Sequence, residues 1–216
     1  MNSFDYTGKT ALVTGASSGI GREFARQLAA RGVGLILVAR SEATLQALAA
    51  ELQKTHSVSL TVIVQDLTLP EAITHIVERL EALRLYPDIL INSAGFATYG
   101  RFEKLSLARQ REEINVNCVA PVALAHALLP AMLRKGSGVM INVASTAAMQ
   151  PDPYMAIYGA TKAFLLSFSN ALWGEYRAHG IRVLALCPGA TDTAFFEVVN
   201  AEEASVGKRM PAQNVV

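Results

Sequence analysis

"TALVTGASSGIGRE", residues 10–23, decides how the rest of this chain is read. Its first five residues are β-branched or apolar, as in a short buried strand. The strand runs directly into Gly15, Gly19 and Gly21, which open a helical stretch. Glycine permits a tight turn and leaves no Cβ between the main chain and a bound anion. Ser17 and Ser18 offer hydroxyls to cap the helix or to bind phosphate, and a helix start presents free N–H groups to negative charge. Strand, glycine turn and helix in this order suit a dinucleotide phosphate. The plainer reading is a glycine-rich turn without a ligand. The spacing is GxxxGxG, not the commoner GxGxxG.

Outward from this unit the same alternation continues. Residues 34–39, 59–64, 88–92, 138–144 and 181–187 read as further strands, several apolar almost throughout, as strands covered on both faces should be. Between them the pattern predicts helices over 19–31, 42–55, 70–85, 106–134 and 156–178. Strict alternation of strand and helix implies right-handed crossovers and a parallel sheet. No linker or second domain interrupts it, so one α/β domain over residues 1–216 is expected. The tail after Phe195 is weaker in pattern.

Composition bounds the function classes. Half the chain is apolar (51%), 17% is charged and the net charge is +1, which argues against disorder and against nucleic acid as a partner. Cys118 and Cys187 lack metal or disulfide spacing, and the four histidines form no zinc motif, so no metal is expected. The N-terminus has no apolar signal core, and the uncharged run 118–133 carries two prolines and a histidine. It reads as a buried helix, with no membrane span and a cytoplasmic location expected.

"YGATK", residues 158–162, puts Tyr158 and Lys162 on one helix face. A surface tyrosine lying over a lysine stem is the bland reading. The chemical one is a phenol whose proton is made available by an ammonium. A free tyrosine titrates near pH ~10, and a nearby positive charge favours the phenolate. Ser145, just past the fifth strand, is a loop hydroxyl with Thr146 as its neighbour.

Five motifs in chain order resemble the short-chain dehydrogenase/reductase family in its compact single-domain form: Thr14-Gly15-(x)3-Gly19-Ile20-Gly21; Asn92-Ser93-Ala94-Gly95; Asn117; Ser145 with Tyr158 and Lys162; and Pro188-Gly189 with Thr193. The resemblance implies a Rossmann-type doubly wound sheet in three layers, strand order 3-2-1-4-5-6. It implies hydride transfer between a nicotinamide cofactor and a carbonyl or secondary alcohol. Tyr158 would be the proton donor, Lys162 would tune it and bind the nicotinamide ribose, and Ser145 would polarise the substrate oxygen. Asn117 would hold a relay water; Asn115 is its rival. Asp66, with Leu67, would meet the adenine, although Asp66 also suits an N-cap for the helix near Pro70. Asn92, Ala94 and Gly95 would lie against the ribose, and Pro188, Gly189, Thr191 and Thr193 against the nicotinamide. The family usually continues with another helix and a seventh strand, so this chain is expected to lack that strand and the C-terminal end of the fold.

The second strand ends at Ala39-Arg40 rather than at an acidic residue. A carboxylate would repel a 2′-phosphate and arginine can pair with it, so NADP(H) is expected over NAD(H), with Arg22 adding charge. Phe96, Tyr99, Met149, Tyr154, Phe195 and Phe196 are the candidate substrate wall, mostly apolar; packing within loops is the alternative. Leu124, Leu128, Phe168 and Leu172 read as apolar outer positions of the fourth and fifth helices, where the family forms dimers or tetramers. Two rivals remain. One is a nucleotide-sugar epimerase, whose glycine loop usually runs TGxxGxxG. The other is a non-catalytic dinucleotide sensor, which would not need Ser145, Tyr158 and Lys162.

Overall fold

The computed structural model describes residues 4–195 and 208–216. Six parallel strands form one sheet: β1 (Thr10–Thr14), β2 (Gly34–Ala39), β3 (Leu60–Val64), β4 (Ile89–Asn92), β5 (Gly138–Val143) and β6 (Ile181–Leu186), in the order β3-β2-β1-β4-β5-β6. The expected order and doubly wound topology are therefore found. β2 is buried at every residue, whereas the edge strand β6 leaves Leu184 half exposed.

Helices cover both faces. Against one lie α1 (Gly19–Ala30) and α2 (Glu42–Thr55), packed on Val13, Leu35, Leu37 and Ile91. Against the other lie α3 (Ala72–Ala82), α5 (Ala120–Lys135) and α6 (Ala156–Tyr176), packed on Leu12, Ile36, Leu90 and Met140, with α4 (Leu107–Ile114) lying against α6. Side chains alternate across each strand, so each strand feeds both cores.

Three local departures from the sequence reading have physical causes. The helix expected from residue 70 begins at Ala72, because Asp66 Oδ1 accepts from both Thr68 N–H and Thr68 O–H (2.9 Å each) and folds the approach into a turn. The single helix expected over 106–134 is interrupted by one π turn, Asn115–Val119, in which the Ala120 N–H reaches back five residues to the Asn115 carbonyl. Pro121 has no N–H to give the Asn117 carbonyl one turn earlier, which removes an α-helical bond there. The combined helix Leu107–Lys135 is long and apolar enough to cross a bilayer, but half of its most apolar window is buried inside this fold. Third, Leu124 and Leu128 are not outer positions. Both are core residues, and Phe168 and Leu172 pack partly against the same core. A helix apolar on all sides gives no periodic signal for its outward face. The exposed large apolar side chains of these helices are Leu107, Ile114, Val119, Phe164 and Trp173.

The tail, weaker in pattern than the rest of the sequence, returns to the body at its end. Thr191–Asp192 (β7) pairs in parallel with Met210–Pro211 (β8), outside the main sheet. Gln27 on α1 donates to the Gln213 carbonyl (3.4 Å), and Val216 packs on the core beneath α1.

Candidate active site

All six strands of the main sheet point their C-terminal ends at one cavity of about 590 Å³, where open α/β sheets bind ligands. The turn after β1 forms its floor. Gly15 has φ +66°, and a Cβ there would lie 2.8 Å from the Ala94 nitrogen. Gly21 does not line the cavity; it is buried, and a Cβ would lie 2.4 Å from the Gly15 carbonyl oxygen. The two glycines let the β1 turn, the β4 loop and the first turn of α1 nest together. Ser18 stands at the N-cap of α1 without making a side-chain cap bond, so its hydroxyl and the first-turn N–H groups remain available to an anion.

The expected phosphate- and nucleoside-binding residues Gly15, Ser17, Ser18, Gly19, Ile20, Arg40, Asp66, Leu67, Ala94, Gly95, Gly189, Thr191 and Thr193 all line this cavity. Arg40 is exposed at the end of β2. Arg22 is turned away: its guanidinium donates to the Ser17 carbonyl (Nε 3.0 Å) and braces the glycine turn from behind. Asn92 is also not at the cavity. Its amide donates to Asn142 Oδ1 (2.8 Å), and Asn142 donates to Ser169 Oγ (2.9 Å), a buried polar chain joining β4, β5 and α6. Pro188 does not line the cavity either; its carbonyl accepts from Thr146 N–H (3.0 Å) and sets the loop that holds Ser145. Asp66 forms the turn described above and is not the N-cap of α3, a position held by Glu71.

Ser145, Tyr158 and Lys162 meet at the inner end. Ser145 lies two residues past β5 in extended backbone, where its Oγ accepts from Ala147 N–H (3.1 Å) and also bonds the Tyr158 hydroxyl. Lys162 is buried, donates to the Val143 carbonyl (2.7 Å) and lies 5.5 Å from the Tyr158 ring centre. Asn117, not Asn115, reaches this corner. A Cβ on Gly95 would lie 3.1 Å from Asn117 Oδ1 and 3.5 Å from Lys162 Nζ. Asn117 is fully buried, donates to the Phe96 carbonyl (2.9 Å) and Thr161 Oγ1 (3.1 Å), and accepts from Phe96 N–H (3.2 Å). Both amide protons are thus committed to the protein. Asn115 instead donates to the Thr68 carbonyl (3.4 Å).

The protonation states differ from the expectation that Lys162 lowers the tyrosine. Burial pushes the Tyr158 hydroxyl up to about 12, a rise that the Ser145 bond opposes and that Asp152 and Glu113 reinforce. Burial also brings Lys162 down to about 8. In this geometry desolvation outweighs the attraction between phenolate and ammonium. Tyr158 therefore carries its proton at neutral pH.

Of the expected substrate wall, Phe96 and Phe195 line the cavity, Phe195 lying 5.3 Å from the Tyr158 ring. Tyr99 packs with Ala97, Met155, Tyr158 and Phe195. Met149 and Tyr154 do not line it. Met149 is largely exposed at the end of a 3₁₀ turn (Thr146–Met149). Tyr154 sits at φ +67° after Pro153, meets the Tyr99 ring at a tilt with centroids 6.0 Å apart, and borders a separate shallow depression. Phe196 lies outside the described residues. The sequence reading missed Gln150, Asp152 and Met155, which line the cavity from the segment between Ser145 and Tyr158. Only their position in that short segment pointed to them.

The short chain dehydrogenase family profile matches residues 9–204. Hydroxysteroid dehydrogenase-like protein 1 of Gallus gallus is 40% identical over 184 residues, covering 84% of this chain and 55% of that protein. A Homo sapiens protein named inactive hydroxysteroid dehydrogenase-like protein 1 is 36% identical, with the same coverage, 84% and 55%. The chain spans about half the length of these curated relatives. A solved short-chain dehydrogenase from Sphingobium yanoikuyae, in complex with NADPH, superposes with a TM-score of 0.90 at 37% identity, covering 96% of this chain and 80% of that one.

Proposed function

Because this chain belongs to the short-chain dehydrogenase family, we propose that it is an NADP(H)-dependent oxidoreductase interconverting a ketone and a secondary alcohol on an apolar substrate. The observation that carries this reading is the meeting of Ser145, Tyr158 and Lys162 in the cavity that also holds the uncapped start of α1. A bound nicotinamide dinucleotide would supply or take the hydride. Its phosphates fit the Gly15–Ile20 turn, where a Cβ at Gly15 would strike the β4 loop.

The chain's own groups manage the oxygen. Tyr158 Oη would give its proton to a carbonyl oxygen on reduction and take it back on oxidation. Ser145 Oγ would hold that oxygen in place and stabilise the charge that develops on it. Lys162 would favour the phenolate left behind and return a proton to it. Asn117 would act through its main-chain carbonyl or its remaining Oδ1 lone pair, because its amide protons are already committed.

NADP(H) over NAD(H) is supported by Arg40 at the cavity rim, by the lack of an acidic residue at Ala39, and by the NADPH complex of the Sphingobium relative. An apolar substrate is supported by Phe96, Met155 and Phe195 on the inner wall and by the hydroxysteroid name of the Gallus relative. We place the enzyme in the cytoplasm as a homodimer or homotetramer. The word "inactive" in the human relative's name keeps the dinucleotide-sensor reading in view, but Ser145, Tyr158 and Lys162 favour catalysis.

The test is a panel of bulky ketones and secondary alcohols with both nicotinamide cofactors, on wild type and Tyr158→Phe. Wild type should turn over apolar ketones with NADPH. Tyr158→Phe should lose about 10²–10⁴-fold in kcat while binding NADPH as before. Turnover in Tyr158→Phe equal to wild type would remove the tyrosine from the mechanism. NADPH binding by wild type without turnover would favour the sensor.

A further inference from the structure

We propose that Glu113 is a further positioning residue of this site: a buried carboxylate that keeps the Lys162 ammonium charged and, through Thr98, fixes the loop carrying the substrate wall. The inference rests on the function proposed above.

Glu113 is wholly buried at the end of α4, one turn before Asn117. Its Oε2 accepts from Thr98 N–H (3.0 Å) and Thr98 O–H (2.7 Å). Its Oε1 is buried with no partner among the described residues. Together with Asn117, which holds both the N–H and the carbonyl of Phe96, one helix face grips the loop at residues 96 and 98. The neighbouring loop residues Ala97 and Tyr99 pack with Met155, Tyr158 and Phe195, so the grip sets the wall facing the reacting oxygen.

A neutral amide or hydroxyl would have sufficed to hold Thr98. A buried carboxylate with a free oxygen is an expensive choice unless the charge itself acts. The charge has an evident recipient. A Cβ on Gly95 would fall 3.1 Å from Asn117 Oδ1 and 3.5 Å from Lys162 Nζ, which places the ammonium beside Asn117, one turn after Glu113.

The charged and titratable neighbours are few. Lys162 feels Glu113 from α4, Cys118 from the π turn and Cys187 from the loop after β6. The Cys118 thiol is pushed up to about 11 by burial and is neutral near pH 7. Tyr158, on the same helix as Lys162, is also neutral there, and Asp152 acts on Tyr158. Glu113 in turn feels Arg109, one turn earlier on α4, and Lys162. Arg109 is engaged with Glu112 (2.7 Å) and lies over the Phe96 ring at 3.8 Å. Glu113 is thus the carboxylate among the groups acting on Lys162. Burial raises its own titration above the usual carboxylate range, a rise that the two Thr98 donors, Arg109 and Lys162 offset only in part.

The experiment reads Lys162 directly, so it does not depend on turnover. Protein labelled with ¹³C at the lysine ε-carbon is titrated by NMR, with the Lys162 signal assigned by its loss in Lys162→Arg. Glu113→Gln keeps an acceptor for Thr98 and removes the charge. Its Lys162 midpoint should fall by about one pH unit from that of wild type, and Glu113→Asp should restore most of the difference. If glutamine is not accommodated, Glu113→Leu makes the same reading without adding a polar group. A merely structural role would lower the melting temperature but leave the midpoint unmoved. An unchanged midpoint in the charge-free variants overturns the proposal, even where ketone reduction is confirmed. A shifted midpoint in a protein that reduces no substrate would instead uphold the electrostatic link and fail the proposed function.

Discussion

Lys162→Met should make this protein more stable and, on the mechanism proposed, inactive. The ammonium is 5% exposed, and burial lowers it from 10.5 to about 8. That gap means the fold disfavours the charged form by about 3 kcal/mol at neutral pH. Methionine removes that cost but leaves the Val143 carbonyl without its donor, at about 1–2 kcal/mol. The net gain is about 1–2 kcal/mol, or a melting temperature about 3–6 °C higher for a chain of this size. The sign with pH follows from proton uptake. Between about 8 and 10.5 the unfolded chain holds the Lys162 proton and the folded one does not, so wild-type stability should rise with pH. The gain should reach about 2 kcal/mol between pH 7 and 9.5, and it should be absent in Lys162→Met. Tyr158, whose folded value is raised, holds its proton more tightly in the fold; its contribution is present below pH 10 and declines above, outside this window. Calorimetry at pH 7, 8 and 9.5 on both proteins is the assay. A Lys162→Met protein less stable than wild type at pH 7, with parallel pH slopes, would refute the reasoning.

Gly21→Ala should cost about 1–3 kcal/mol in urea unfolding and weaken NADPH binding, because its Cβ would press into the Gly15 carbonyl at 2.4 Å; unchanged unfolding midpoints would count against the nested turn. The double change Ala39→Asp with Arg40→Ala should abolish or reverse a preference for NADPH, read as the ratio of kcat/KM for the two cofactors; a ratio untouched by the change would show that the β2 end does not select. Light scattering at micromolar concentration should show at least a dimer, and Phe164→Asp with Trp173→Glu should dissociate it, since both side chains are exposed on α6; a monomeric wild type would count against the oligomer.

The sheet was legible because its strands are buried on both faces and announce themselves as apolar runs; the expected strand limits agree with the structure to within one residue. The Ser145–Tyr158–Lys162 site was legible for a different reason. Two of its members share one helix, where spacing in sequence is spacing in space. What could not be read depends on contacts between distant segments. Glu113 meets Thr98 fifteen residues away, and nothing in "REEIN" separates it from the half-buried Glu112 beside it. Asn92 looked like a cofactor residue because of its motif, but its amide turns inward to Asn142, fifty residues on. The outward face of α5 was misread because apolar residues surround that helix. The return of the tail to α1 rests on two-residue strands and a few backbone bonds, too short to leave a pattern.

The π turn at Asn115–Val119 makes part of this site depend on a count of residues as well as on their kind. An α-helix advances about 100° and 1.5 Å per residue, and a π turn absorbs one residue more than an α turn does. Removing one residue within it would let the segment close as a regular α turn, with little change in the length of Leu107–Lys135. The faces of α4 and α5 would keep nearly their present phase, so Glu113 would stay on Thr98 and Leu124 and Leu128 in the core, but Asn117, which lies inside the turn, would be displaced. In variation among related sequences, single-residue deletions in this segment should therefore be rarer than substitutions, even though the helix itself would survive them.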